Sequence, residues 1–144
     1  MQLIDGKRYL IRFQQESNTN WAMAYWRDSK VISYKNFYGY VMNKSLHDGF
    51  CKRKDQTTYF PSYSNVLACY DIDSIESDLC NIMTKKKSGR IPYEKYLVWR
   101  KPSGIKGHLT VRKFIPNTIY KFKNLDVEKW IRISDIDWSK YDLD

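Results

Sequence analysis

The chain has 144 residues, the usual size of one domain and enough to bury a hydrophobic core. Its 42% hydrophobic content, with 5 Trp, 12 Tyr and 6 Phe, sets it apart from disordered chains. The net charge of +9 points to anionic partners and is local: residues 84–124 carry twelve Lys/Arg against Glu94 alone, whereas residues 71–83 carry four acids and no base.

Taken in chain order, Lys7 to Phe13 alternates Tyr9, Ile11 and Phe13 with Arg8 and Arg12, the pattern of a half-buried strand. Gln14 to Asn20 reads as a polar loop. The runs Trp21–Trp26 and Val31–Tyr34 flank Arg27-Asp28-Ser29-Lys30 and predict a hairpin. Asn36 to Met42 extends this meander as a further strand with Gly39 at a bulge. Asn43 to Gln56, with Asp48-Gly49 and Lys52-Arg53-Lys54, reads as a long loop.

Val66 to Tyr70 is a short apolar run, expected as a buried strand leading directly into a helix near residues 74–87. Asp73 and Glu76 have capping-box spacing, Ile75, Leu79, Ile82 and Met83 form one stripe, Lys85, Lys86 and Lys87 suit the C-terminal dipole, and Gly89 suits the C-cap. Beyond Pro92, β-type patterning returns at Tyr96–Trp99, His108–Phe114, Ile119–Phe122 and Trp130–Ile133. Between the first two runs, Arg100 to Gly107 has the residues of a hairpin loop. The expected fold class is therefore α+β, mainly β: a twisted antiparallel sheet or small, partly open barrel with one main helix. No repeat period is visible, and a single domain spanning 1–144 is expected, with an acidic, mobile tail from about residue 135.

No apolar run approaches the roughly 18 residues needed to cross a bilayer, so no membrane partner is expected. Three cysteines without paired spacing, Cys51, Cys69 and Cys80, argue against a secreted disulfide framework and for a cytoplasmic location, bacterial or host.

The binding chemistry concentrates in the basic segment. Cations that neutralise phosphates, interleaved with aromatics that stack on bases, characterise single-strand binders. The candidate nucleic-acid residues are Trp99, Arg100, Lys101, Lys106, Arg112, Lys113, Lys121 and Lys123, on a basic sheet face or loop rim. The bland reading gives equal weight to a solvated surface with core aromatics. The RRM signature and zinc-finger spacing are absent, and Gly104-Ile105-Lys106-Gly107 lies between strands rather than between the helices of a KH fold. The alternative partner is a protein with an acidic surface: Trp21, Trp26, Tyr38 and Tyr40 are interface-type residues, and a small accessory or inhibitory protein of a phage or mobile element would carry them.

Catalysis ranks lower. Cys51 and His47 can be drawn as a nucleophile pair, but loop residues four apart rarely meet in that geometry. Asp71, Asp73 and Glu76, with Asp78, form the one dense acidic cluster, at a strand-to-helix junction where nucleases gather metal ligands; helix capping is the simpler reading. Nucleotide-binding glycine motifs are missing, and no cofactor is expected.

Overall fold

The computed structural model describes residues 2–54, 65–86, 89–104, 106–116 and 122–141. The fold is mainly β with one α-helix among these residues, and every strand pair of known register is antiparallel. Instead of a closed barrel there are three open sheets. The chain divides after Cys69 into two compact units. No helix among the described residues is long and apolar enough to cross a membrane.

In the first unit, β1 (Arg8–Gln15), β2 (Asn18–Arg27), β5 (Gly49–Cys51) and β6 (Val66–Asp71) form a sheet in the order β5-β2-β1-β6. Alternation works as the sequence predicts: Tyr9, Ile11 and Phe13 share one face with Ala24, Trp26 and Phe50, and all six are buried together. Trp26 meets Phe50 edge-on at 5.0 Å. Leu10, on the opposite face with Arg8 and Arg12, is also fully buried, so β1 is covered on both sides at that point.

The hairpins differ from expectation. Gln14–Asn20 is not a loop: Gln14 pairs with Thr19 and Gln15 with Asn18 around a two-residue turn, in which Glu16 has φ +54°. The strand ends are polar because they face solvent, where Gln14 and Gln15 side chains accept from Thr19 and Asn20. Nor do β2 and β3 (Lys30–Lys35) pair. The second edge of β2 belongs to β5, and β3 pairs with β4 (Val41–Leu46) as a separate two-stranded ribbon. Residues 28 and 29 serve as a pinned corner, the Asp28 amide donating to Asp5 Oδ1 at 2.9 Å and the Ser29 amide to Asp48 Oδ1. Residues 43–46 and 49–51 of the expected loop are thus strand, in β4 and β5. Cys51 sits in β5, fully buried; burial pushes its thiol pKa up, against the pull of Arg27 and Lys30.

The helix α1 (Ile72–Ile82) starts and stops earlier than its periodicity suggests. Asp71, not Asp73, is the N-cap, accepting from the Asp73 amide at 3.1 Å. Ile72, Ile75 and Leu79 are buried, but Ile82 is exposed. The helix ends at Met83 because Thr84 leaves it to exchange both backbone hydrogen bonds with Trp130, each at 2.9 Å. Lys85 and Lys86 therefore lie beyond the last turn, and Gly89 is too distant to cap it.

In the second unit, β7 (Lys95–Arg100) is central, flanked by β8 (His108–Lys113) and β9 (Val127–Arg132). Tyr96 and Val98 are buried with Phe122 on one face, against Phe114, Val127 and Trp130. The expected strand at Ile119–Phe122 lies largely outside the described residues, and Phe122 itself opens a 3-10 helix, Phe122–Leu125. The final segment is held by Ile133 and Ile136, both buried, and by Trp138, whose ring stacks on Tyr70 at 4.6 Å and whose indole N–H donates to the Ile133 carbonyl.

A repeat invisible as a sequence period emerges in the hydrogen bonds. In the first unit, the Lys7 amide donates to the Ile4 carbonyl and closes a turn, Gly6 and Lys7 exchange backbone bonds with Trp26, and the Ile4 amide donates to the Tyr9 hydroxyl at 3.0 Å. In the second unit, Glu94 bonds back to Ile91, Tyr93 and Glu94 exchange bonds with Phe114, and the Ile91 amide donates to the Tyr96 hydroxyl at 2.7 Å. The turn residue before the last is left-handed in both, Gly6 at φ +78° and Tyr93 at φ +67°. The last strands and the residues after them also correspond: Val66 of β6, with Ile72 and Ile75 of α1, matches Val127 of β9, with Ile133 of the 3-10 turn and its C-cap Ile136, in both spacing and burial. The register between the halves differs for the two parts because the first has residues 27–65 where the second has only 115–126.

Both turns have the shape of a type II turn, which favours glycine at the left-handed position. Gly6→Ala should therefore lower stability by about 1 kcal/mol, whereas Tyr93→Gly, at an exposed site, should raise it by roughly half that. Urea melts of the two variants measure both signs.

Candidate nucleic-acid interface

β7 carries the site because its two ends leave the apolar middle of the sheet. Leu97 and Val98 are fully buried, on opposite faces, so cations cannot occupy the centre of either face. They collect instead at the strand ends.

At the loop end, Trp99 lies opposite Leu109 on one side and Lys129 on the other, with Lys129 Nζ 5.8 Å from the centre of its ring. The indole also rests on Gly107, where a Cβ would stand 2.4 Å from ring carbon Cζ2. Arg100 lies opposite His108 and donates from Nε to the Leu125 carbonyl, while the Lys101 amide donates to the Asp126 carbonyl at 3.0 Å. These bonds tie the end of β7 to the turn following Phe122–Leu125. The loop that follows exposes Lys101 and Lys106. Of the expected residues, the fold thus brings Trp99, Arg100, Lys101 and Lys106 to one end of one hairpin.

Lys113 lies at the other end, five strand residues or roughly 16 Å from His108, and Arg112 lies four residues along, on the face of Arg100. They also point to opposite faces. Arg112 shares the face of Tyr96 and Arg100; Lys113 shares the face of Lys95, directly across from it. Of the expected sheet face or loop rim, the rim thus holds Lys101 and Lys106, while strand alternation divides Arg112 and Lys113 between faces. Lys121 and the side chain of Lys123 lie outside the described residues.

Electrostatically, like charges face one another along this hairpin. Burial, then the nearby Arg100, lowers the pKa of Arg112, whose Nε is buried with no hydrogen-bond partner among the described residues. Burial, then Lys113, lowers that of Lys95. An arriving phosphate oxygen would counter the like-charge contribution in both cases. Two carboxylates are held in ion pairs: Asp135 with Arg132, which lies opposite Tyr96 at the same end as Arg112, at 2.9 Å, and Glu128 with Lys85 at 3.8 Å. Asp71 caps α1, and among the described residues no group of three or more His, Cys, Asp or Glu is placed to hold a metal ion.

Two contributors were missed in the sequence. Lys129 belongs to the acid-rich C-terminal segment and reaches Trp99 only through the β7–β9 pairing; Gly107 reads as an ordinary loop glycine and is needed for its lack of a side chain. Gly107→Ala should cost about 1–3 kcal/mol and displace the Trp99 ring, observed as a lower melting temperature with a shift in tryptophan emission.

Comparison of the chain with protein families, with curated proteins and with solved structures gives no match.

Proposed function

We propose that the protein is a non-enzymatic binding module whose partner is nucleic acid, contacted at the loop end of the β7–β8 hairpin. The observation that carries this reading is the gathering of Arg100, Lys101, Lys106 and Lys129 at the loop end of β7, with Lys129 Nζ 5.8 Å from the centre of the half-buried Trp99 ring and Arg100 on the opposite face of the strand. Such a site neutralises phosphates with mobile lysines and offers one aromatic edge to a base or sugar. Arg100 is the fixed member, because its Nε bond to the Leu125 carbonyl orients the guanidinium. Lys101 and Lys106 are the adaptable ones. Contacts of this kind read the backbone and carry little sequence information.

Fluorescence anisotropy with labelled 20-nucleotide strands and duplexes, across a salt series, tests the proposal. Binding should weaken steeply with salt. The double variant Lys101→Ala/Lys106→Ala should bind all sequences more weakly and reduce the slope of log K against log salt by about 1.5. An unchanged slope and affinity in the variant would remove this loop from the interface.

A further inference from the structure

Among the described residues the second unit builds the same hydrogen-bond framework without a counterpart of the β3–β4 ribbon. The ribbon is therefore an addition to the module rather than part of its scaffold. Its tip is tightly made. The Gly39 amide donates to the Asn36 carbonyl, Asn36 N–H donates to the Tyr40 carbonyl, and Gly39 adopts φ +83°, the arrangement of a type I turn with a glycine bulge. Asn36 Oδ1 then accepts from both the Tyr38 and Tyr40 amides at 3.0 Å. The backbone donors of the tip are thus consumed internally, and what it presents outward is side chains.

Those side chains are aromatic. Phe37 is 97% exposed, Tyr38 80% and Tyr40 69%, with Tyr34 following on the strand. Phe37 and Tyr38 hold each other edge to face at 5.5 Å. Lys30, Lys35 and Lys44 lie on the same ribbon, none in an ion pair among the described residues, and no Asp or Glu occurs between Ser29 and His47. Rigidly offered rings beside unpaired cations match the two needs of a single strand, base stacking and phosphate neutralisation.

We propose that the β3–β4 hairpin is a stacking platform for single-stranded nucleic acid, with Phe37, Tyr38 and Tyr40 under the bases, Lys35 beside the tip on one face of the ribbon and Lys44 on the other, the face of Tyr34, taking phosphates as the strand passes over the tip. Charge disfavours a second copy of this basic chain as the occupant. The three tyrosine hydroxyls disfavour a hydrocarbon phase, where each would lack a partner. In a duplex the bases are already stacked on one another, so the platform selects single strands. The proposal rests on nucleic acid being the partner class but not on the β7–β8 loop.

The test compares the full chain with Phe37→Ser/Tyr38→Ser/Tyr40→Ser and with Lys101→Ala/Lys106→Ala, on labelled dT20, a 20-base-pair duplex, and vesicles of phosphatidylcholine and phosphatidylserine. The tip residues are exposed, so the tip variant should keep its circular dichroism and melting temperature. It should lose tenfold or more in dT20 affinity while duplex affinity changes less than twofold. Equal dT20 binding by the tip variant and the unmodified chain would overturn the hairpin proposal, and the lysine variant would show separately whether the β7–β8 reading survives. Vesicle binding that depends on the rings, with dT20 binding that does not, would overturn it in favour of a membrane surface. Failure of the unmodified chain to bind either oligonucleotide at low salt would overturn both readings.

Discussion

Tyr96 is the group on which the second unit is built. Its ring is buried edge-on against Phe122 at 5.6 Å, Trp130 at 5.2 Å and Phe114 at 6.4 Å, while its hydroxyl accepts from the Ile91 amide. Edge-to-face packing is directional, so three such contacts hold β7 in rotation as well as position. A buried hydroxyl must also be bonded, which draws the turn at Ile91–Glu94 onto the strand. With Tyr96 fixed, strand periodicity dictates that Trp99 and Arg100 emerge at the far end, one on each face. Tyr9 plays the same part in the first unit, buried in its core cluster with its hydroxyl bonded to Ile4.

A repeated scaffold frees its connections for separate use. In the second unit, the connection from β7 to β8 carries Lys101 and Lys106 past Trp99; in the first, the equivalent β1–β2 connection shrinks to Glu16-Ser17. The first unit instead elaborates residues 27–65, which include the ribbon with the aromatic tip. Lys101, Lys106 and the aromatic tip thus lie where the framework imposes no packing demand, while Tyr9, Tyr96 and the paired isoleucines recur because they are the framework. Arg90 shows how a cation is handled inside it, lying over the rings of Phe114 and Phe122 at 4.8 and 5.4 Å.

Much of the fold was legible because strand alternation and helix capping are local. Tyr9, Ile11 and Phe13 identified their strand and its buried face correctly, and the runs at Val66, Tyr96 and His108 are strands with nearly the expected bounds. Errors arose where a local signal competed with a distant partner. Trp21–Trp26 and Val31–Tyr34 look like a hairpin because they adjoin, yet the free edge of β2 is taken by Phe50 and its neighbours. The stripe through Ile82 and Met83 continues helical spacing, but Thr84 gains two strand-type bonds to Trp130 by leaving the helix. The repeat stayed hidden because side chains such as Gly6 and Tyr93 differ while their backbone duty is the same.

The sequence by itself determined the mainly β class, the strand-to-helix passage at Asp71 and the concentration of positive charge in one segment, since each follows from periodicity, capping or composition. Only the tertiary structure decided which cations meet which rings. Lys129 joins Trp99 across a strand pair, whereas Arg112 and Lys113, adjacent in sequence, part to opposite faces. It also separated Phe50, fully buried against Trp26, from Phe37, almost wholly in solvent. The two are chemically identical, and their difference lies in whether the surrounding strands have a sheet to join.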